Sequence, residues 1–321
     1  MGGAFDVVGL GLAAVDDLMR VAEYPPADSK VPIIDRVRRS GGLNATACVA
    51  AARLGSRTAY AGVVGDDEPS RFVLDALEAK GVNTDHVCRY PGAGPVLSSI
   101  ILDNANQTRT IFYDTSHIIG PGEDWLPHAL LGSARVLLVD NFRIDLGIRA
   151  ARAAREAGAA IVADFEGTVV PRLEELLELV DHLILSRAFA RTLTGEPDPG
   201  AAARALSVPG RTVVITCGAD GCWYIPESST TPIHEHALPV EAVDTNGCGD
   251  VFHGAYASGL ADGFDLPERV RRATAAAAVS AMTPGGQEGI PNAATVTRLL
   301  EEYRGQPTGP RPTLSAPRSK E

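Results

Sequence analysis

The sequence has 321 residues, a net charge of −11 at neutral pH and a hydrophobic content of 45%. This length suffices for one large α/β domain, and the acidic balance with scattered arginines argues against a nucleic-acid partner. No apolar run of about 18 residues and no secretory leader pattern occur, so we expect neither a membrane span nor export. The five cysteines form no CxxC pair and are typical of reduced thiols in the cytoplasm.

Short apolar runs alternate with helix-like segments through most of the chain. The runs predict buried strands at 5–10, 58–64, 136–140, 160–164, 182–186 and 213–216, with a short hairpin after the last. The segments between them predict helices at 44–54, 68–80, from 140 to 158, and at 172–180, 199–207, 250–262 and 267–282. This alternation predicts a doubly wound, mostly parallel sheet with helices on both faces.

Two β-rich segments, about 17–38 and 94–115, do not fit the alternation. We expect their strands to pair into a small β-sheet lid that projects from the main sheet. One domain is predicted over residues 4–304. The segment 305–321, which carries prolines, serines and mixed charge, is predicted to be a disordered tail.

The segment 244–252, Asp-Thr-Asn-Gly-Cys-Gly-Asp-Val-Phe, carries the strongest chemical signal. Gly247 and Gly249 allow a tight turn that brings several N–H groups together, and the helix predicted to follow adds its positive end. Such a turn would receive an anion such as a phosphate. Asp250 at its mouth is either a general base or an ordinary helix-capping acid, and this segment alone does not decide between the two.

A second glycine segment, Ser40-Gly41-Gly42-Leu43-Asn44-Ala45-Thr46, precedes a helix of small residues. Paired glycines at a helix start can bring the backbone close to a polyhydroxy ligand, although most such pairs are ordinary turns.

Together the two segments resemble the paired signatures of the ribokinase-like (PfkB) carbohydrate kinases. The N-terminal signature is GGLNATACVAAARLGSRTAYAGVVGDD at 41–67, and the C-terminal one is DTNGCGDVFHGAYASG at 244–259. The strand and helix series between them and PGGQEGIP at 284–291 also match, so the resemblance covers about residues 4–300. It implies a doubly wound α/β fold with a β lid, and phosphoryl transfer from ATP with Mg²⁺ to a sugar hydroxyl.

The resemblance also implies a role for individual residues. Asp250 matches the catalytic base, and the anion-hole positions are Gly247, Cys248 and Gly249. Substrate-binding positions are Asp16, Gly41, Gly42 and Thr46, and nucleotide-binding positions are Thr216, Gly218 and Gly221. Asp244 and Asn246 lie in the loop that holds a monovalent cation, such as K⁺, in many members.

The sequence departs from the family pattern at two places. Thr46 stands where the first signature usually has Asn, so one substrate contact is altered. Ser186-Arg187-Ala188-Phe189 replaces the usual Asn-x-x-Glu, whose Glu assists with magnesium and phosphate. Ketohexokinase-like members also lack this motif, so the departure does not imply an inactive enzyme.

Within the family, the sequence most resembles the 6-deoxy-6-sulfofructose kinases and ketohexokinase-like members. Lys30 and Arg143 match positions that hold the sulfonate, while a third polar position, an Asn in that group, is Tyr113 here. Lys30 could equally be a charge on the lid surface and Arg143 a solvated residue after a strand. A ketohexose-type acceptor is therefore expected, with 6-deoxy-6-sulfofructose, a pentose and a nucleoside as alternatives.

Weaker signals favour other classes of protein. Gly9-x-Gly11-x-x-Ala14 fits the dinucleotide fingerprint of an NAD-dependent oxidoreductase, but β-like sequence rather than a helix follows it. His234 and His236 indicate a solvated hairpin more than a metal site, and His253 indicates packing near Asp250. A sugar-binding relative without catalysis would be expected to lack Asp250.

The expected ligands are the sugar, ATP and Mg²⁺, and the expected location is the cytoplasm. A lid with exposed strand edges often pairs with a second copy, so a homodimer through the lid is also predicted.

Overall fold

A computed structural model describes residues 4–106, 108–122 and 125–304. The predicted tail, 305–321, lies outside the described residues. The strands are Phe5–Leu10 (β1), Ala14–Val21 (β2), Asp35–Gly41 (β3), Thr58–Tyr60 (β4), Val63–Val64 (β5), Cys88–Arg89 (β6), Val96–Asp103 (β7), Thr108–Asp114 (β8), Ala134–Asp140 (β9), Ala160–Phe165 (β10), His182–Ser186 (β11), Thr212–Thr216 (β12), Cys222–Ile225 (β13) and Ile233–Glu235 (β14).

The helices alternate with these strands. They are Leu43–Arg53 (α1), Glu68–Ala79 (α2), His128–Leu131 (α3), Ile144–Glu156 (α4), Leu173–Leu177 (α5), Arg187–Thr194 (α6), Pro199–Leu206 (α7), Cys248–Ala261 (α8), Leu266–Ser280 (α9) and Ala293–Arg304 (α10), with a short 3₁₀ turn at Gly218–Asp220. Aspartates cap three helices where the sequence also places a proline in the first turn: the carboxylates of Asp67, Asp198 and Asp265 accept hydrogen bonds from N–H groups of α2, α7 and α9.

The main sheet has eight strands in the order β14-β13-β12-β11-β10-β9-β1-β4. Pairing is parallel from β4 to β12, and β13 and β14 are antiparallel at one edge. Its central strands are almost wholly buried, as expected for a parallel sheet covered on both faces. The predicted doubly wound α/β fold is confirmed.

A second sheet has the strand order β3-β2-β7-β8. We call these four strands the lid sheet. It contains the two segments that the sequence sets apart, and β2 pairs parallel with β7 from Ala14 to Val21. The lid sheet therefore projects from the point where β1 ends and β2 begins.

Several predicted boundaries are wrong. The strand predicted at 58–64 is two strands, β4 and β5, in different sheets. They are separated by Ala61 and Gly62, and a Cβ on Gly62 would collide with the Tyr60 ring. The helix predicted at 172–180 shortens to α5, and the sequence analysis predicted no helix at α3, α6 or α10. The side chain of Ser186 caps α6 by accepting from the N–H of Phe189 at 3.2 Å, so Ser186–Phe189 is a strand-to-helix junction.

In the described residues, no helix has the length and apolar character required to cross a bilayer.

Candidate active site

A cleft of about 540 Å³ lies between the carboxyl ends of the central strands and the lid sheet. Asp250 and the turn before it form one wall, and Asp16 and the glycine pair form the other. The polar and glycine residues that line it include Asp16, Gly41, Gly42, Thr46, Arg109, Glu166, Asn246, Gly247, Gly249 and Asp250. The two glycine segments, about 200 residues apart in sequence, therefore face one cavity.

The turn before α8 has the geometry of an anion receptor. Gly247 adopts φ 72°, a left-handed conformation, and a Cβ there would lie 2.9 Å from the carbonyl oxygen of Gly286. The helix begins at Cys248, two residues earlier than predicted, so Asp250 lies in the first turn and is not the cap. Early N–H groups of a helix lack intrahelical acceptors, so that of Gly249 is available to a bound anion, while that of Asp250 faces its own carboxylate.

The Asp250 carboxyl group lies in a strongly acidic environment. Burial raises its pKa well above the ordinary 3.8, and the charges of Asp164, Glu166 and Asp16 raise it further. Perturbed carboxyl groups in a cleft are frequent at catalytic sites, because a base near neutrality needs such a shift.

His253 and Asp164 form a buried pair beneath Asp250. The His253 Nδ1 atom lies 3.2 Å from Asp164 Oδ2 and 2.8 Å from the carbonyl oxygen of Gly249, while Nε2 lies 3.1 Å from the carbonyl oxygen of Ile184. Both ring nitrogens therefore face acceptor atoms. These contacts attach the first turn of α8 to the ends of β10 and β11, which agrees with the expected supporting position of His253.

The opposite wall is built from β2 and the start of α1. Asp16 is 8% exposed, and burial raises the pKa of its carboxyl group. A Cβ on Gly41 would lie 2.3 Å from Asp16 Oδ2, so a glycine is required for this carboxylate to occupy its position. Gly42 has φ 95° and packs against the backbone of Ala13, which a side chain would prevent.

Glu166 follows β10 and contributes a third carboxylate to the cleft. The side chain of Asn141 fixes its backbone: Nδ2 donates to the Glu166 carbonyl at 2.9 Å, and Oδ1 accepts from the Glu166 N–H at 3.2 Å. Asn141 is itself 3% exposed. Glu166 is thus held in a defined position although its side chain is open to solvent in the cleft.

Arg109, from β8 of the lid sheet, reaches across the cleft. Its Nη1 atom donates to the hydroxyl of Thr245 at 3.0 Å, directly beside the anion turn. Among the described residues that line the cleft, Arg109 is the one cationic side chain.

Asp244 joins the anion turn to the PGGQEGIP loop. Its Oδ1 atom accepts from the N–H of Asn246 at 2.9 Å and its Oδ2 atom from the N–H of Gly285 at 2.9 Å. The predicted cation loop is therefore an ordered contact between two backbone segments.

Thr216, Gly218 and Gly221 lie together at the carboxyl end of β12, on the same edge of the sheet as the other parallel strands. They do not line the 540 Å³ cleft. Gly218 and Gly221 both have positive φ, and Gly221 packs closely against the Glu235 carbonyl.

Lys30 and Arg143 also lie outside the cleft lining. Lys30 is exposed in the connection between β2 and β3. Arg143 precedes α4, and its Nη2 atom donates to the carbonyl of Pro121 at 3.3 Å. Its Nη1 atom is buried and has no hydrogen-bond partner in the described part of the chain.

The Gly9-x-Gly11 fingerprint has a packing explanation. A Cβ on Gly11 would lie 2.1 Å from Asp140 Oδ2, which accepts from the Leu12 N–H at 2.6 Å and from Asn44 Nδ2 at 3.1 Å. The strand β2, not a helix, follows, so the arrangement of a dinucleotide site is absent at this segment.

His234 stacks on Trp223 with ring centroids 4.6 Å apart, in the predicted hairpin.

The comparisons with known proteins agree with this geometry. Residues 6–293 match the family described as pfkB family carbohydrate kinase, and the chain belongs to that family. It is 30% identical over 261 residues to ribokinase of Mus musculus, which covers 78% of this chain and 81% of the relative. It is also 30% identical over 282 residues to a chloroplast protein of Arabidopsis thaliana assigned as fructokinase-6, covering 78% and 71% of the two chains.

The fold is shared with ribokinase of Arabidopsis thaliana in its complex with ribose and ATP. That structure has a TM-score of 0.81 and 23% identity, and the match covers 94% of this chain and 99% of the other. The chain is accordingly a sugar kinase of the ribokinase-like fold, an enzyme that transfers phosphate to a hydroxyl group. The narrower resemblance to sulfofructose kinases is not supported by these relatives and stays a prediction.

Proposed function

We propose that the protein transfers the γ-phosphoryl group of ATP to a hydroxyl of an uncharged sugar, a ketohexose or a pentose, with Asp250 as the general base. The observation that carries the proposal is the position of Asp250. Its carboxyl group lies between an anion-receiving turn and the Asp16 wall of a single cleft. The ribokinase and fructokinase relatives support both sugar classes.

The two walls of the cleft have different roles in the proposed reaction. Asp16 and Glu166 can each accept hydrogen bonds from sugar hydroxyls, and Asp250 takes the proton of the hydroxyl that attacks phosphorus. The free N–H group of Gly249 and the guanidinium of Arg109 face the charge that develops on the transferring phosphoryl group. Positioning and electrostatic stabilisation supply most of the acceleration of phosphoryl transfer.

The nucleotide is proposed to extend from this turn along the carboxyl edge of the sheet, with Thr216, Gly218 and Gly221 near the base. In the described residues no three His, Cys, Asp or Glu side chains are grouped to hold a metal ion. Mg²⁺ is commonly held by one or two carboxylates together with substrate phosphates, so the acidic cleft fits an ion that arrives with ATP. When bound, Mg²⁺ neutralises phosphate charge.

A monovalent cation such as K⁺ is proposed at the junction of 244–246 and 284–287. The carboxylate of Asp244 and the backbone carbonyls of these segments supply hard oxygen ligands, which suit a monovalent cation. A homodimer through the lid is also proposed, because the edge strand β8 leaves Phe112 54% exposed on the face opposite to Ile111 and Tyr113, which line the cleft.

The charges of the cleft favour a neutral acceptor. Three carboxylates and one arginine line it, so a sulfonate or phosphate on the sugar would face net negative charge. The buried, unpartnered Nη1 atom of Arg143 is the observation that keeps a sulfonated acceptor as the alternative, because such an atom could pair with an anion.

Acceptor specificity is tested with ATP and four acceptors: fructose, ribose, 6-deoxy-6-sulfofructose and fructose 6-phosphate. We expect the highest kcat/KM with a neutral sugar, and Lys30→Ala and Arg143→Ala within about twofold of the parent, because neither side chain lines the cleft. A preference for the sulfonated sugar, with Arg143→Ala losing about 2–5 kcal/mol of recognition, would contradict the neutral acceptor.

The pH profile of kcat/KM is a separate test of the base. Because the pKa of Asp250 is raised above 3.8, activity should fall on the acid side well above that pH. Glu166→Gln removes one negative charge that raises this pKa, so its acid limb should lie at lower pH than that of the parent. Glu68→Gln, on the lid-side surface, is the control and should leave the limb in place. If the acid limb of Glu166→Gln lies at the same pH as that of the parent, the charge of Glu166 does not raise the pKa of Asp250.

A further inference from the structure

We infer that Lys80 and Gln287 are positioning residues that orient the Thr46 hydroxyl as a hydrogen-bond donor to a substrate oxygen. The inference rests on the proposed sugar-kinase function and adds a determinant of sugar recognition to it.

The three side chains form one hydrogen-bonded series. Lys80, which follows α2, donates from Nζ to Gln287 Oε1 at 2.6 Å. Gln287, in the PGGQEGIP loop, donates from Nε2 to Thr46 Oγ1 at 3.1 Å. Gln287 and Thr46 are each 1% exposed, and Thr46 lines the cleft. The series therefore runs from the outside of the domain to the wall of the sugar site.

The charge of Lys80 fixes the direction of every bond in this series. An ammonium group has three donors and no acceptor, so the oxygen of the Gln287 amide must face Lys80. The amide NH₂ must then face Thr46, whose oxygen accepts. The hydroxyl proton of Thr46 remains, and within the described part of the chain it has no second hydrogen-bond partner. The cleft is the place where it can find an acceptor.

This polarity complements the rest of the site. Asp16 and Glu166, when ionised, only accept hydrogen bonds, so a sugar hydroxyl that donates to either must receive its own hydrogen bond from a donor. Thr46 supplies that donor on the Asp16 side of the cleft. The loop that carries Gln287 also touches the anion turn, because Gly285 donates to Asp244 at 2.9 Å. One loop thus sets the sugar donor and supports the phosphate site.

Gln287→Glu reverses the polarity without changing the size of the side chain. A carboxylate at 287 still accepts from Lys80, but it also accepts the Thr46 proton, which leaves an oxygen lone pair facing the sugar. We expect KM for the sugar to rise about 5- to 150-fold, the range for a buried polar group left unpaired, with kcat changed less and KM for ATP unchanged. Thr46→Val should show the same rise, and Thr46→Ser should retain activity within about threefold.

Two further variants separate recognition from stability. Thr274→Val removes a buried helical hydroxyl in α9, outside the cleft, and should leave sugar KM at the parent value whatever its melting temperature. The double variant Thr46→Val with Gln287→Glu should be no worse than Thr46→Val alone, because both changes remove one interaction.

The outcomes distinguish this inference from the proposed function. If the parent phosphorylates a sugar, Asp250→Asn loses about 10²–10⁴-fold in kcat, and Thr46→Val and Gln287→Glu keep the parent sugar KM, the inference fails and the kinase mechanism stands. Should Gln287→Glu not fold, Thr46→Val and Thr46→Ser decide alone. A parent that neither phosphorylates nor, by calorimetry, binds ribose or fructose would overturn both.

Discussion

Replacing Asp250 with asparagine is expected to lower kcat for sugar phosphorylation by about 10²–10⁴-fold, the usual contribution of a general base. Asparagine preserves the size of the side chain and the first turn of α8, but it cannot accept the hydroxyl proton. KM for ATP should change little, because the N–H groups of the turn remain. Steady-state kinetics with the best sugar measure both quantities.

The stability of the same variant gives a second readout. The folded state raises the pKa of Asp250, so it binds the proton more tightly than the unfolded chain does. The stabilisation that this gives is present at low pH and is lost as pH rises through the raised pKa. Asparagine removes the buried charge, so Asp250→Asn should melt at the same or a higher temperature than the parent at pH 7.5.

Asp262→Asn, at the other end of α8 and outside the cleft, is the matched control and should keep parent kinetics. An Asp250→Asn enzyme with more than half of the parent kcat would exclude Asp250 as the base.

The sequence predicted the architecture because its signals are local. Buried strands such as 136–140 and 182–186 are short aliphatic runs, and the helices between them have clear ends, so the parallel α/β sheet follows from periodicity. The two glycine segments were also visible, since tight turns require glycine. Their convergence on one cleft came from the family resemblance, because nothing in local sequence joins residue 41 to residue 250.

Other parts of the site could not be predicted because their partners are distant in sequence. Arg109 looks like an ordinary residue of an edge strand until Thr245 is placed beside it. Glu166 has the weak signal of an acid just after a buried strand, but its fixed position depends on Asn141. Gln287 gains its orientation from Lys80, 207 residues away.

The structure places the residues taken only from the resemblance in different surroundings. Asp16 and Thr46 face the cleft. Lys30 and Arg143 match sulfonate-binding positions in sequence, yet neither lines the cleft, because each lies on a connection whose direction the sequence does not set. Similarity of sequence locates a residue along the chain, and the side-chain direction then depends on packing around it.

Gly249→Val is expected to fold normally and to lower kcat by about 10²–10³-fold, the effect of losing one preorganised donor to a developing anion. The sequence left open whether Gly249 has a positive φ that would strain a side chain. The structure places it in the first turn of α8, and a Cβ there would meet no described protein atom within 4 Å. The added methyl groups would instead project into the cleft where phosphate oxygens approach the N–H groups.

Gly247→Ala is the contrasting variant, because Gly247 has φ 72° and its Cβ would lie 2.9 Å from the Gly286 carbonyl oxygen. That change should cost about 1–2 kcal/mol of folding stability from the left-handed backbone alone, and its melting temperature should fall. Gly249→Val should keep the parent melting temperature, apart from a few tenths of a kcal/mol for a β-branched residue in a helix. Melting curves and kcat on both variants therefore separate backbone strain from obstruction of the phosphate. Parent kinetics in Gly249→Val would mean that the phosphoryl group is bound elsewhere. In the described structure no protein atom would hold the added side chain away from the cleft, so a phosphate bound at this turn would have to contact it.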